Sequence, residues 1–226
     1  MEAAVPQNPK AGLNALLTPE NCVLLLIDHQ PFQFATLRSH DTQTVINNVV
    51  GVAKAAKGYG VPTLLSTVTE ARGGLILQQL QEVFPEQQPL DRTWINAWQD
   101  ERVVAWVAKT GRKKLVVAAL WTELCLAMVA IQAAGEGYEV YVVTDASGGI
   151  SPEAHEMAVQ RMIQAGVTPI TWMVFSGELQ RDWARTATTP ALGENLIAHG
   201  GNVGTSLLWE AQLLAAKPAQ NASVGV

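Results

Sequence analysis

The sequence predicts an α/β fold: a doubly wound, Rossmann-like parallel sheet with helices on both faces. Three observations carry that prediction. Short apolar runs alternate with segments whose apolar residues recur at helical spacing. The runs are apolar at consecutive positions, which is what strands buried on both faces require. Strand and helix alternate one for one, so each crossover returns a parallel strand, and right-handed crossovers wind the sheet in both directions.

The elements follow in order. Cys22–Ile27 is a short apolar run that ends at Asp28-His29-Gln30-Pro31. The spacing predicts a helix over Val45–Ala56, stopped by Gly58 and Gly60. Val61–Ser66 reads as the second strand, Leu75–Val83 as a helix, and Arg102–Lys109 as another, closed by Gly111. Lys114–Leu120 is a strongly apolar strand, and Leu124–Ala134 a helix ending at Gly135 and Gly137. Glu139–Thr144 is a strand, Pro152–Ala165 a helix, Val167–Met173 the last strand and Gly177–Arg185 a further helix. Residues 1–17 read as an N-terminal arm and 18–186 as the α/β domain. Residues 187–226 read as a C-terminal extension, with helices over Ala191–His199 and Ser206–Ala216 and a loose tail.

Composition narrows the function. A chain of 226 residues, 48% hydrophobic, fits one domain that needs neither disulfide nor metal to fold. Charged residues make up 15%, against a usual value of about 25%. Two readings compete: a sparsely charged monomer surface, or an apolar surface buried in a homo-oligomer. The second is favoured, because uncovered apolar patches are a liability. Net charge is −5 and the longest basic cluster is Arg112-Lys113-Lys114, read as a solvated loop, so nucleic acid is not an expected partner. No apolar stretch approaches the length of about 18 residues that a membrane span needs. Met1 to Leu13 lacks the pattern of a signal peptide, and the two cysteines demand no disulfide framework. A cytoplasmic location is the default expectation.

In doubly wound sheets, ligands bind at the carboxyl ends of the strands. Asp28 ends the first strand, Trp121-Thr122-Glu123-Leu124-Cys125 follows the strand at 114–120, and Asp91-Arg92-Thr93-Trp94 lies between the second and third runs. Cys125 opens a helix. Free N–H groups and the positive end of the helix dipole would lower its thiol pKa and could receive an oxyanion, with Thr122 as N-cap. The competing reading is a small buried hydrophobe. Cys22, at the start of a strand, reads as core. Asp28 is either a cap or a proton-transfer group. Arg92 is either a surface ion pair or the cation that pairs with Asp28 and an incoming carbonyl. Trp94, Trp98 and Trp121 are placed to line an apolar pocket, while Trp106, Trp172, Trp183 and Trp209 read as core or subunit contacts. The four histidines lack the spacing of a metal site, and neither a G-x-S-x-G elbow nor a nucleotide-binding glycine motif occurs, so no metal and no cofactor is expected.

Four motifs in order resemble the isochorismatase-like cysteine hydrolases, most closely their YcaC-like branch: Leu24-Leu25-Leu26-Ile27-Asp28-His29-Gln30, Ile95-Asn96-Ala97-Trp98, Thr122-Glu123-Leu124-Cys125, and Val142-Val143-Thr144-Asp145-Ala146-Ser147-Gly148. The resemblance runs from about residue 18 to about residue 185. It implies a six-stranded parallel sheet and an Asp–Lys–Cys triad, carried here by Asp28 as proton-transfer group, Arg92 at the lysine position and Cys125 as nucleophile. It implies a cis peptide at Leu120–Trp121 or Trp121–Thr122, beside the oxyanion site, and places Asn96 with the pocket tryptophans. The Asp-x-His of metal-binding nicotinamidases is absent. Ring-built homo-oligomers, often octamers, are implied too. The resulting expectation is a cysteine hydrolase of a small amide or related C–N substrate. The alternative is an oligomeric binding or scaffold protein that keeps the fold without turnover. Vinyl-ether hydrolysis of the isochorismate type dispenses with the cysteine and is disfavoured.

Overall fold

The computed structural model describes residues 11–215. The first ten residues of the expected arm and the tail from 216 lie outside the described residues. The chain runs β1 (Cys22–Ile27), α1 (Pro31–Ala35), α2 (Thr42–Gly58), β2 (Thr63–Val68), α3 (Glu70–Gly73), α4 (Gln78–Val83), β3 (Leu90–Arg92) and α5 (Glu101–Lys109). It continues with β4 (Lys114–Ala119), a π-helical turn at Thr122–Leu126, α6 (Ala127–Gly135), β5 (Glu139–Val143), α7 (Pro152–Gln164), β6 (Thr168–Ile170), α8 (Trp172–Gln180), α9 (Thr189–His199) and α10 (Asn202–Ala215).

The six strands form one parallel sheet in the order β3-β2-β1-β4-β5-β6. The chain winds outward from β1 to β3, then restarts beside β1 at β4 and winds the other way. The switch point therefore lies between β1 and β4, where Ile27 is in register with Ala119. Connections on either side of it diverge and open a crevice at the carboxyl ends.

Alternation along the strands splits the core into two layers. Leu24, Leu26, Val116, Ala118, Tyr141 and Val143 face α2, α8 and α9. Val23, Leu25, Ile27, Leu115, Val117, Ala119, Val140 and Val142 face α5, α6 and α7. Helix starts are capped from the sequence: Asp41 accepts from Thr44 N at 2.9 Å, and Ser151 accepts from Ala154 N at 3.0 Å with Pro152 in the first turn.

Several boundaries differ from the sequence reading. The apolar run 167–173 is a strand only over Thr168–Ile170. Thr171 caps a helix there, so Trp172 and Met173 are helical, and α8 ends at Gln180 where Arg181 turns left-handed, φ 55°. The helix expected over 75–83 begins only at Gln78. Strand β3 is the sixth strand that the resemblance implies and that the residue pattern does not place. Lys114 is buried, not solvated: its Nζ donates to Leu16 O at 2.8 Å, and Arg112 Nη1 donates to Cys22 O at 2.5 Å. These cations pin the segment that enters β1. In the region expected as an extension, Leu192 and Leu196 of α9 are buried in the core against α2. Trp172 is buried, whereas Trp183 and Trp209 are exposed on this chain.

Candidate active site

Asp28 follows β1 directly and has φ 60°. Thr69, just past β2, also has a positive φ, 49°. Such backbone costs about 1–3 kcal/mol at a non-glycine residue and persists only where the surroundings hold it. Here Asp28 N donates to Ser66 O at 2.9 Å, and Thr69 N donates to Arg92 O at 2.8 Å. The carboxyl ends of β1, β2 and β3 are thereby stitched together.

Arg92 ends β3 and reaches back over β2. Its Nη2 donates to both oxygens of Asp28, at 2.9 and 2.8 Å, and neither side chain is exposed. Arg92 Nη1 donates to Trp94 O, and Arg92 Nε has no partner among the described residues. Burial pushes Asp28 up to about 6, against the opposing pull of Arg92 and of a hydrogen bond with the Cys125 thiol.

Cys125 lies in the π-turn after β4 and is buried. Its sulfur faces Asp28 and the backbone N–H of Trp121. The Leu120–Trp121 peptide is cis. Burial first, and the Asp28 charge second, hold the thiol well above its ordinary value; Arg92 and the Trp121 N–H pull the other way without prevailing. The sequence leads one to expect a helix-start field that lowers this thiol; in the folded chain, burial and the Asp28 carboxylate act against that field.

Thr122 does not cap the turn. The preceding Trp121 occupies that position with no side-chain cap, and Thr122 Oγ1 instead bonds His155 Nδ1 at 2.8 Å. Thr122 N donates to Gly148 O at 2.9 Å, and Leu120 bridges Gly148 as an isolated β-pair. The turn carrying Cys125 is thus held by the 144–149 segment and by α7.

A cavity of about 430 Å³ opens beside Cys125. Phe32 and Gln33 of α1, Val68, Thr69, Ile95 and Leu124 contribute to its wall with Trp121. The other expected pocket residues lie elsewhere. Trp98 is buried with its Nε1 donating to Glu136 at 2.8 Å, Asn96 Nδ2 donates to Gln132 at 2.7 Å, and the Trp94 side chain is half exposed. Asn96 and Trp98 therefore brace α6, the helix that continues from the cysteine turn. Phe32 and Gln33 were missed: they follow the Asp28-His29-Gln30-Pro31 segment, but nothing in a polar, Pro-led stretch announces a pocket wall. A larger groove of about 770 Å³, lined by Lys54, Asn195 and His199 among others, contains neither cysteine. Among the described residues no group of three or more His, Cys, Asp or Glu side chains is placed to hold a metal ion.

A family model of the isochorismatase domain matches residues 22–173. The chain belongs to the isochorismatase family. A relative within it, the probable hydrolase YcaC of Escherichia coli (strain K12), is 37% identical over 169 residues, covering 74% of this chain and 81% of that protein. The structure of YcaC from Pseudomonas aeruginosa, solved with hexane-2,5-diol and covalent acrylamide, superposes with a TM-score of 0.83 at 32% identity, covering 87% of this chain and 97% of the other. The E. coli YcaC structure, described as an octameric hydrolase of unknown specificity, gives 0.83 at 33% identity over 88% of this chain and 97% of that one. An isochorismatase-family hydrolase fold thus frames Asp28, Arg92 and Cys125.

Proposed function

We propose that this isochorismatase-family chain is a cysteine hydrolase that cleaves a small amide or related C–N compound. The observation that carries the reading is the double engagement of Asp28, which faces both Arg92 Nη2 and the Cys125 sulfur in a buried site. A carboxylate so placed can take the thiol proton at the moment the sulfur attacks, so a standing thiolate is not needed.

Cys125 sulfur attacks the substrate carbonyl carbon while its proton passes to Asp28. The oxygen becomes an oxyanion beside the Trp121 N–H. The C–N bond then breaks, the electron pair leaves with nitrogen, and Asp28 returns the proton to it. Water attacks the thioester, gives its proton to Asp28, and releases the acid as the thiol is re-formed. Arg92 keeps the carboxyl group aligned throughout and offsets its charge. The Pseudomonas relative was solved with covalent acrylamide, so that protein carries a group reactive toward a small electrophile, which supports the search for such a group in this chain.

The test is release of ammonia or amine from a panel of small aliphatic and aromatic amides by the full-length chain. The expected result is turnover that disappears in Cys125→Ala and Asp28→Asn. Release that persists in Cys125→Ala overturns the mechanism. The scaffold alternative rests on arginine at position 92, where the resemblance implies lysine, and on the bulky Trp121 beside the cysteine turn. Absence of turnover together with an inert Cys125 would establish it.

The chain is also assigned to a homo-oligomer. Leu208, Trp209, Leu213 and Leu214 of α10 are all exposed, and a related hydrolase is described as octameric. Sedimentation of the full chain checks this, and a monomer at micromolar concentration rejects it.

A further inference from the structure

Arg72 is the single charged side chain among the described residues that line the cavity beside Cys125. Its guanidinium is exposed and has no hydrogen bond or ion pair among the described residues. Thr69 and Thr93 line the same cavity, and neither hydroxyl has a partner there. The rest of the wall is largely apolar, from Phe32, Val68, Ile95, Trp121 and Leu124, and holds no carboxylate.

The turn that carries Arg72 is tied to the strands that carry the reacting groups. Arg72 N and Gly73 N donate to Thr69 O at 2.8 and 2.9 Å, and Thr69 N donates to Arg92 O at 2.8 Å. Gln30, buried two residues past Asp28, accepts from Val68 N at 2.8 Å and donates to Gly74 O at 2.6 Å. The fit is close: a Cβ on Gly73 would lie 2.9 Å from Gln30 Nε2. Carboxylates near in sequence are engaged elsewhere. Glu70 Oε1 accepts from Thr67 Oγ1 at 2.9 Å and Asp91 Oδ1 accepts from Glu70 N at 3.1 Å, and both residues line a separate groove with Arg102. The fold thus presents an unpaired cation at the cavity while its acidic neighbours face other partners.

We infer that Arg72 is a specificity-determining residue that receives the carboxylate of a small substrate whose remaining body is apolar. A guanidinium stays charged at any relevant pH, and its fork matches a carboxylate. Beside apolar walls that attraction is screened less than on an open surface. A neutral ligand leaves the guanidinium to water, and a cationic one is repelled. Arg72 is exposed whereas Cys125 is buried, so the carboxylate sits toward the mouth and the apolar body points inward. The hydroxyls of Thr69 and Thr93 supply further donors to the same anion. This inference rests on the cysteine-hydrolase reading and adds to it the charge of the substrate.

The test uses three N-substituted maleimides of similar size: 3-maleimidopropionate, its uncharged primary amide, and N-(2-aminoethyl)maleimide. In each, the Cys125 sulfur adds to one carbon of the ring double bond and the thiol proton ends on the other. Rates are read by intact mass and peptide mapping on the full-length protein, and each is divided by the rate of the same reagent with 2-mercaptoethanol, a neutral thiol. The wild-type chain should prefer the carboxylate over the amide by about fivefold or more, with the amine slowest. The preference should fall toward one in Arg72→Gln and stay above one in Arg72→Lys. Equal rates for carboxylate and amide in the wild type, or a preference that survives Arg72→Gln, overturns the assignment. Calorimetric titration with hexanoate and with hexanamide reads the same subsite without the thiol. Hexanoate should bind about fivefold more tightly or better, and the difference should vanish in Arg72→Gln. Equal binding overturns the assignment. A reactive Cys125 with no charge preference rejects the anion subsite and leaves the hydrolase reading standing. A Cys125 inert to all three maleimides, in a chain that still selects hexanoate through Arg72, keeps the subsite and rejects the hydrolase reading alone.

Discussion

A single nitrogen of Arg92, Nη2, bridges both carboxylate oxygens of Asp28, at 2.9 and 2.8 Å. The guanidinium does not use its parallel fork on this partner; its other terminal nitrogen serves Trp94 O. One point donor between two oxygens is a geometry that an ammonium group can also supply. Arg92→Lys should therefore keep most of the reactivity of Cys125, whereas Arg92→Met should abolish it. Arg92→Met should also cost about 3–5 kcal/mol of stability, because it strands a buried carboxylate. Urea denaturation and alkylation rates on the two variants check this together.

The pH profile of Cys125 should be set by Asp28. With Asp28 raised to about 6, the carboxylate that accepts the thiol proton forms as pH rises through that value. Alkylation should rise through about pH 6 in the wild type, well below the range where so strongly raised a thiol ionises unaided. In Asp28→Asn that limb should vanish, leaving only a rise at high pH. A profile unchanged by Asp28→Asn would contradict the proton transfer.

Gly148 should tolerate substitution worse than its neighbour. A Cβ on Gly148 would lie 2.4 Å from Leu37 Cδ1 and 3.1 Å from Ser39 Oγ, in a packed region that also holds the cysteine turn through Leu120 and Thr122. A Cβ on Gly149 meets the carboxylate tip of Glu123, 2.3 Å from Oε2, which yields at the loss of its one bond from Ile150 N. Gly148→Ala is expected to cost about 1–3 kcal/mol by overpacking and to slow Cys125 alkylation. Gly149→Ala should cost less, and thermal melting of both compares them.

His29 should make the fold acid-sensitive. Its Nε2 bonds Ala146 O at 3.0 Å, and complete burial lowers it to about 4. The unfolded chain then binds the proton first, so this contribution is fully present above about pH 6.5 and is lost as pH falls toward 4, worth about 3 kcal/mol. Asp28 titrates in an overlapping window with the opposite sign: its folded value is raised, so its contribution favours the fold at low pH and is lost as pH rises through about 6. The two slopes offset each other in the wild type. The difference between wild-type and His29→Gln denaturation curves from pH 7 to 4 isolates the histidine.

Much of the frame was legible because its elements are long and apolar on both faces. Strands β1 and β4 show as unbroken runs, and the strand-end rule then points to Asp28 and to the Cys125 turn. Strand β3 was invisible: Leu90-Asp91-Arg92 is an edge strand of three residues, two of them charged, and no periodicity can show in so short a run. The run at 167–173 misled because Trp172 and Met173 are apolar for a helix buried under the sheet, not for a strand, and the Thr171 cap was overlooked. The partner of Thr122 is on α7, and the cavity wall comes from α1 and the loops after β2 and β3. Contacts assembled from separate connections leave no local pattern to read.

The switch point between β1 and β4 has a consequence for how such a molecule changes over time. Asp28 and Cys125 hang from the two central strands, which are in register through six residue pairs. The cavity wall beside Cys125 comes largely from α1, from Thr69 beyond β2 and from Ile95 beyond β3, toward one margin of the sheet. In the proposed mechanism, reactivity and selectivity are thus mounted on separate parts of the scaffold. A lineage can rebuild the margin, trading one small molecule for another, while the proton relay at the centre stays untouched.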